Sequence, residues 1–226
     1  MKQFFLALIA VALMGGCAKT MQARTSEYSG FLDDYSRLER GKKHEAMYRW
    51  VDPDVDWRAY DKILIDPIVR YVDAEQTPDM ERDDAQEVID YFYERLYEDF
   101  SEDYEMVRAP APGTIRFQIA LTRVNATLPV VDGVSTVIPV GLGVSGVQWA
   151  LTGQPTFTAD VAVEFRASDA MTAATLAEGV DRRVGGKNLG KGMSKWSDVK
   201  NGMDYWAKAM RYRLCVLSER PDCQKP

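Results

Sequence analysis

An α+β fold, with a mixed and mainly antiparallel sheet and two long helices packed on one side of it, is what the sequence predicts. Three observations predict it. Two stretches carry apolar residues at helical spacing, several shorter ones alternate or are β-branched, and the order is strand, helix, several strands, helix. A regular alternation of strand and helix, which would announce a parallel sheet, is absent.

Taken in order, "GFLDDYSRLERG" places Phe31, Leu32, Tyr35 and Leu38 on one face of a short helix, where order is expected to begin. "YDKILIDPIVRYV" (60–72) is apolar and β-branched, a strand or strand pair broken at Pro67. A helix is expected from Thr77 to Ser101: Thr77 can cap it, Pro78 suits the first turn, and acids crowd the positive end of its dipole. Its core stripe is Ala85, Val88, Ile89, Phe92, Leu96 and Phe100. After the turn "APAPG" (109–113), "TIRFQIALTRV" (114–124) and "FTADVAVEFRA" (157–167) alternate as strands, the second with Phe157, Ala159, Val161, Val163 and Phe165 on one face. "SDAMTAA" turns the chain into a third strand at 175–184. A Gly- and Lys-rich loop (185–196) leads to a last helix from Ser197, with Met203, Trp206, Met210, Leu214 and Leu217 as its apolar stripe.

The chain opens "MKQFFLALIAVALMGGCAKT". One basic residue, Lys2, precedes an apolar run from Phe4 to Met14 that is far short of the roughly 20 residues a membrane-spanning helix needs. Gly15, Gly16 and Cys17 resemble the lipobox of bacterial lipoproteins, with Met14 where Leu is commonest. That resemblance implies removal of residues 1–16 and lipid attachment at Cys17, and Ala18 in the next position implies the outer membrane, periplasmic side. Several acyl chains, at about 0.8 kcal/mol per buried methylene, make such an anchor effectively permanent. Residues 17–29 then read as a lipidated N-terminus and a polar tether reaching roughly 20 Å, and 30–226 as one periplasmic domain.

Loss of the leader, with one Lys and no acid, takes the formal charge from −6 to −7. That excludes nucleic acid as the natural partner, since phosphates demand clustered Lys and Arg. With Cys17 consumed by lipid, Cys215 and Cys223 form an even pair in an oxidising compartment and are expected to be a disulfide worth about 2–3 kcal/mol. With His44 the sole histidine, neither a metal site nor a catalytic triad is expected, and no cofactor is implied.

"SGFLDDYSRL" (29–38), "YDKILIDPI" (60–68) and "VEFRASDAMTAATLAEGVDRR" (163–183), in this order after a lipobox, resemble a family of bacterial lipoproteins catalogued as domain of unknown function 3313. The resemblance implies location and architecture and carries no catalytic residue. Its Asp-x-x-Thr-Gly turn is matched by Asp169 and Thr172, but Ala173 stands where Gly is usual.

Three motifs tempt a sharper reading. "GLGVSG" (141–146) spells a dinucleotide fingerprint without the following helix, and "GGKNLGKG" (185–192) spells a P-loop whose magnesium-binding Ser or Thr is Gly192. "DPDVDW" (52–57) spaces Asp52, Asp54 and Asp56 like calcium ligands, but Trp57 occupies the required glycine position and Ile63 that of the closing Glu. All three read as loops.

From Gly133 to Ala159, 27 residues pass without a charge. Val134, Ile138, Val140, Leu142 and Val144, with Trp149, are either core or an apolar surface for self-association or an envelope partner. The resulting expectation is a lipid-anchored, non-catalytic binding or structural accessory of the envelope. The alternatives are a carboxylate-dependent periplasmic hydrolase and a glycan-binding module using Trp50, Trp57, Trp149 and Trp196.

Overall fold

Three long strands make the centre of the sheet: β7 (Thr114–Asn125), β8 (Asp160–Asp169) and β9 (Thr175–Val184), each antiparallel to the next. The computed structural model describes residues 20–71, 82–125, 159–185 and 196–226, with backbone alone at Arg82 and Asp83. Six short strands extend the sheet: β1 (Met21–Gln22), β2 (Glu39–Arg40), β3 (Tyr48–Val51), β4 (Lys62–Ile65), β5 (Val69–Arg70) and β6 (Glu105–Met106). The order is β2-β3-β9-β8-β7-β4-β6, with β1 beside β9 and β5 beside β7. β4 runs parallel to β6 and β7, and β5 to β7; the other pairs are antiparallel, so the sheet is mixed as expected.

Helices α1 (Arg82–Ser101) and α2 (Ser197–Leu217) cover one face. Val88, Phe92, Leu96 and Phe100 of the expected stripe are fully buried, and Phe100 stacks on Phe117 at 5.1 Å. Full burial of each such side chain is worth about 1.5–3 kcal/mol. Met203, Trp206, Met210 and Leu214 do the same for α2, and Phe92 meets Trp206 between the helices. Gly202 lets α2 close on β8, since a Cβ there would stand 2.9 Å from Val161 Cγ1. Alternation along β7 sends Ile115, Phe117, Ile119 and Leu121 inward; a bulge between Leu121 and Arg123 then resets the phase so that Val124 is buried too. β4 and β5 are the two pieces of the Pro67-broken stretch.

The expected helix over 30–41 does not form. Gly30 takes a φ of 90°, the chain turns where Leu38 N–H bonds Tyr35 O, and Glu39 and Arg40 extend to pair with Arg49 and Tyr48. Tyr35 Oη accepts from the Gly30 and Leu32 N–H groups, and Ser29 Oγ from Phe31 N–H. The expected free tether over 17–29 is also corrected for its described part. Gln22 pairs with Arg183 and Met21 with Val184, and Ala23 N–H bonds Arg182 O at 2.8 Å. Cys17, the helix start at Thr77 and Pro78, Phe157, and the uncharged stretch with Val134, Ile138, Val140, Leu142, Val144 and Trp149 lie outside the described residues, as do 141–146 and 186–192. Ala159, the last residue of that stretch, is buried.

Cys215 and Cys223 are joined in a disulfide that folds the tail back on α2. The tail is further pinned where Arg220 donates to Asp103 O and lies 4.2 Å over the Tyr104 ring.

The β8–β9 hairpin keeps its turn without glycine. Asp169 Oδ1 accepts from the Met171 and Thr172 N–H groups and the Thr172 hydroxyl, while Ala173 takes a φ of 60°. Left-handed backbone costs a residue with a Cβ about 1–2 kcal/mol, partly offset by the greater unfolded-state freedom of glycine. Ala173→Gly is therefore expected to stabilise the domain by about 0.5–1 kcal/mol, read from the urea midpoint. Tyr60 Oη donates to the other oxygen of Asp169, and burial together with that bond pushes the Tyr60 phenol up to about 12. The native state thus holds a proton that an unfolded tyrosine loses at about pH 10. Its contribution is complete below pH 10 and disappears as pH rises to about 12. Thermal unfolding over that window should show a shallower alkaline loss for Tyr60→Phe than for the natural chain.

Candidate functional site

β8 and β9 carry charges where a sheet centre is normally apolar. Glu164, Glu178, Asp181, Arg182 and Arg183 are all buried, none more than 5% exposed. A carboxylate or guanidinium survives there only if hydrogen bonds replace its water.

On the face away from the helices the replacements come from residues 25–37 and from Asp160 and Arg166 of β8. Ser29 N–H and Tyr35 Oη donate to the two oxygens of Glu164 at 2.7 and 2.6 Å. Glu178 receives Arg37 at 2.6 Å on one oxygen and Arg166 at 2.7 Å on the other. Arg182 forks onto Asp160 at 2.7 and 2.6 Å and reaches Thr25 O. Burial, reinforced by its bond to Glu164, holds the Tyr35 phenol above its ordinary value. The stretch read as a short helix is thus a strap across the polar face of the sheet.

Asp181 and Arg183 point to the helix side. Asp181 accepts from Gln22 Nε2 at 2.5 Å, Met47 N–H at 2.9 Å and Trp206 Nε1 at 2.7 Å. It thereby ties β1, the loop before β3 and α2 to β9. Burial pushes its carboxyl up against the pull of those donors and of Arg183. Arg183 donates to Thr20 Oγ1 and O and lies 3.5 Å over the Tyr205 ring; burial pulls its guanidinium down.

Beside Asp181, between the second half of α2 and the β3–β9–β8 floor, lies an apolar crevice of about 80 Å³. Trp50, Trp57, Phe117, Phe165, Trp206, Met210 and Leu214 wall it, with Ala167, Ala177 and Ala209 leaving the space. Gly179 allows the Phe165 ring to lie on the floor, since a Cβ there would sit 2.5 Å from Phe165 Cζ. The rim is polar. Glu45 accepts from Lys42 N–H, Arg49 and Arg213, which together hold its carboxyl low although burial opposes them. His44 stands beside Glu45 with φ 65°, its ring edge-on to Tyr212 and its Nδ1 buried without a hydrogen bond.

Chemically, the crevice can hold an apolar group. The carboxylates of Glu45 and Asp181 are each engaged by two or more donors, and that of Glu178 is held by Arg37 and Arg166 on the other face of the sheet. That is poor placement for proton transfer to a ligand. Trp57 and Trp196 are buried and the Arg37 guanidinium covers Trp50 at 4.0 Å, so these three rings offer no shared platform for a sugar. Asp52 and Asp56 serve as turn and cap acceptors, and no group of three or more metal-ligating side chains occurs among the described residues.

The sequence reading missed Asp181, Glu164 and Glu178. A signal existed in "EGVDRR" (178–183), charges placed within an otherwise apolar strand, but their partners lie far away in the chain.

A sequence model of the family described as "Protein of unknown function (DUF3313)" matches residues 27–210. Two Escherichia coli proteins named "Uncharacterized lipoprotein YdcL", from strains K12 and O157:H7, are each 29% identical over 170 residues, covering 74% of this chain and 74% of theirs. Among solved structures, a PelC dodecamer from Paraburkholderia phytofirmans is similar at a TM-score of 0.40 and 14% identity, over 72% of this chain and 94% of that chain.

Asp181→Ala strands the Trp206 and Met47 donors and the Arg183 charge in the interior. It is expected to cost about 3–5 kcal/mol in urea unfolding, several times the effect of Glu98→Ala at the surface pair with Arg95.

Proposed function

The chain belongs to the DUF3313 family, and from that footing we propose that it is a lipid-anchored lipoprotein of the outer membrane, periplasmic side, acting by non-catalytic binding of an apolar group in the crevice under α2. The lipobox-like "LMGGC" and the lipoprotein relatives support the anchor at Cys17. The crevice carries the binding reading. It is apolar inside and polar only at its rim, the arrangement that buries a hydrophobic ligand and orients it by a few polar groups. Its size of about 80 Å³ suits one ring or a short aliphatic segment.

A carboxylate-dependent hydrolase is the weaker reading, because Glu45, Glu178 and Asp181 have their lone pairs committed to the fold. The stretch 133–159 and Trp149 remain a proposed surface for an envelope partner or for self-association.

Titration with toluene, a single apolar ring, followed through the methyl signals of the crevice residues Met210 and Leu214, tests the crevice. One saturable site is expected. Ala209→Phe, on the α2 wall, should weaken it by at least about tenfold, near 1.4 kcal/mol, with little change in unfolding temperature. Ala177→Leu, on the floor, should do the same. Undiminished toluene binding by both folded variants would exclude the crevice as the site.

A further inference from the structure

Thr20 is the first described residue, and it is fixed. It is 8% exposed, and Arg183 donates to both its hydroxyl, at 3.0 Å, and its carbonyl, at 2.7 Å. Met21 and Gln22 then pair with β9, and the strap continues across the sheet to Glu164 and Glu178. Freeing this chain would strip buried Arg183 of both its Thr20 acceptors and Glu164 of both its donors. The chain therefore has no slack from Thr20 onward.

Only three peptide steps separate Thr20 from Cys17, about 11 Å at full extension. We propose that the end of the sheet formed by Thr20, Met21, Asp160 and Val184 faces the bilayer that holds the N-terminal lipid, at a separation of no more than that reach. The proposal rests on the anchor at Cys17 and adds an orientation that anchoring alone does not imply. A tether of 17–29 free in solution would have let the domain tumble roughly 20 Å away.

Among the described residues at this end, Asp160 is engaged by Arg182, and Arg123 by Glu27. The opposite end is the β8–β9 hairpin, where Met171 is 59% exposed. The ten residues of β8 put it about 30 Å from the bilayer end.

The full-length lipidated protein, reconstituted in phosphatidylcholine vesicles with and without brominated chains, tests this. With Cys17 acylated and Cys215 bonded to Cys223, Met21→Cys and Met171→Cys each offer a single thiol for a bimane label. Brominated lipid should quench the label at 21 severalfold more than the label at 171; equal quenching, or stronger quenching at 171, overturns the orientation. A Gly/Ser linker of about a dozen residues between Lys19 and Thr20, reaching about 20 Å, should reduce quenching at 21 to the level seen at 171. Undiminished quenching would overturn the claim that the docked chain sets the distance. Labelled palmitate, incorporated by the natural chain and not by Cys17→Ser, reads the anchor separately. Its absence refutes the anchor and this proposal with it, whereas palmitate with uniform quenching refutes the orientation alone.

Discussion

Charge buried in the middle of β8 and β9 constrains most of what surrounds it. An ionised group deprived of water there is destabilising by several kcal/mol unless donors or acceptors enclose it. The two strands enclose part of it themselves, since Arg166 of β8 reaches Glu178 and Asp160 of β8 receives Arg182. The rest comes from outside β8 and β9, chiefly from residues 20–49. Thr20 accepts from Arg183, Gln22 and Met47 N–H serve Asp181, Ser29 and Tyr35 serve Glu164, and Arg37 serves Glu178. Residues 20–49 are ordered for that reason and not by any helix or strand preference of their own.

How much of this the sequence discloses follows from where each signal resides. The long helices and the three central strands are legible because their period is local: the stripe of α1, ending at Ser101, and the alternation of Ile115, Phe117 and Ile119 need no knowledge of partners. β1, β2 and β3 are two to four residues long and exist because β9 offers an edge to β1 and β3, and β3 one to β2, so no periodicity could reveal them. Residues 30–41 have helical apolar spacing, yet Glu39 and Arg40 pair with β3 and the Tyr35 hydroxyl is bonded to Glu164 across the sheet. That bond joins residues 129 apart. The charges of "EGVDRR" were visible, but their burial depends on contacts of that range. The crevice was invisible for the same reason: it is a gap between Ala167, Ala177 and Ala209, which are unremarkable residues in their own segments.

The network also fixes how the two proposed surfaces relate. Glu178 and Asp181 line the crevice and hold the N-terminal segment as well, so the crevice and the anchored end share strands and side chains. Coupling between sites requires an element with two arrangements of similar energy that both sites bias. Side chains bonded on every available oxygen have no second arrangement of comparable energy, since any shift leaves a buried donor or acceptor unpaired. The proposed binding in the crevice and the proposed placement at the membrane would therefore be independent of each other.

Placement then limits where a ligand can come from. The floor residues Ala167 and Ala177 belong to the hairpin half of β8 and β9, and Leu214 and Leu217 to the far end of α2, whereas Trp196 and Thr20 belong to the end assigned to the bilayer. An acyl chain in the leaflet carrying the anchor would have to leave the membrane and cross water along much of β8 to enter. Exposing a chain of that kind costs about 0.8 kcal/mol per methylene, which for a full-length chain exceeds what a crevice of about 80 Å³ can return. A group of one ring or a few methylenes loses little in the same crossing. The geometry thus favours a small apolar group presented from the aqueous side, carried on a larger molecule whose polar part remains outside with Arg49 and Arg213, over a lipid drawn sideways from the anchoring membrane.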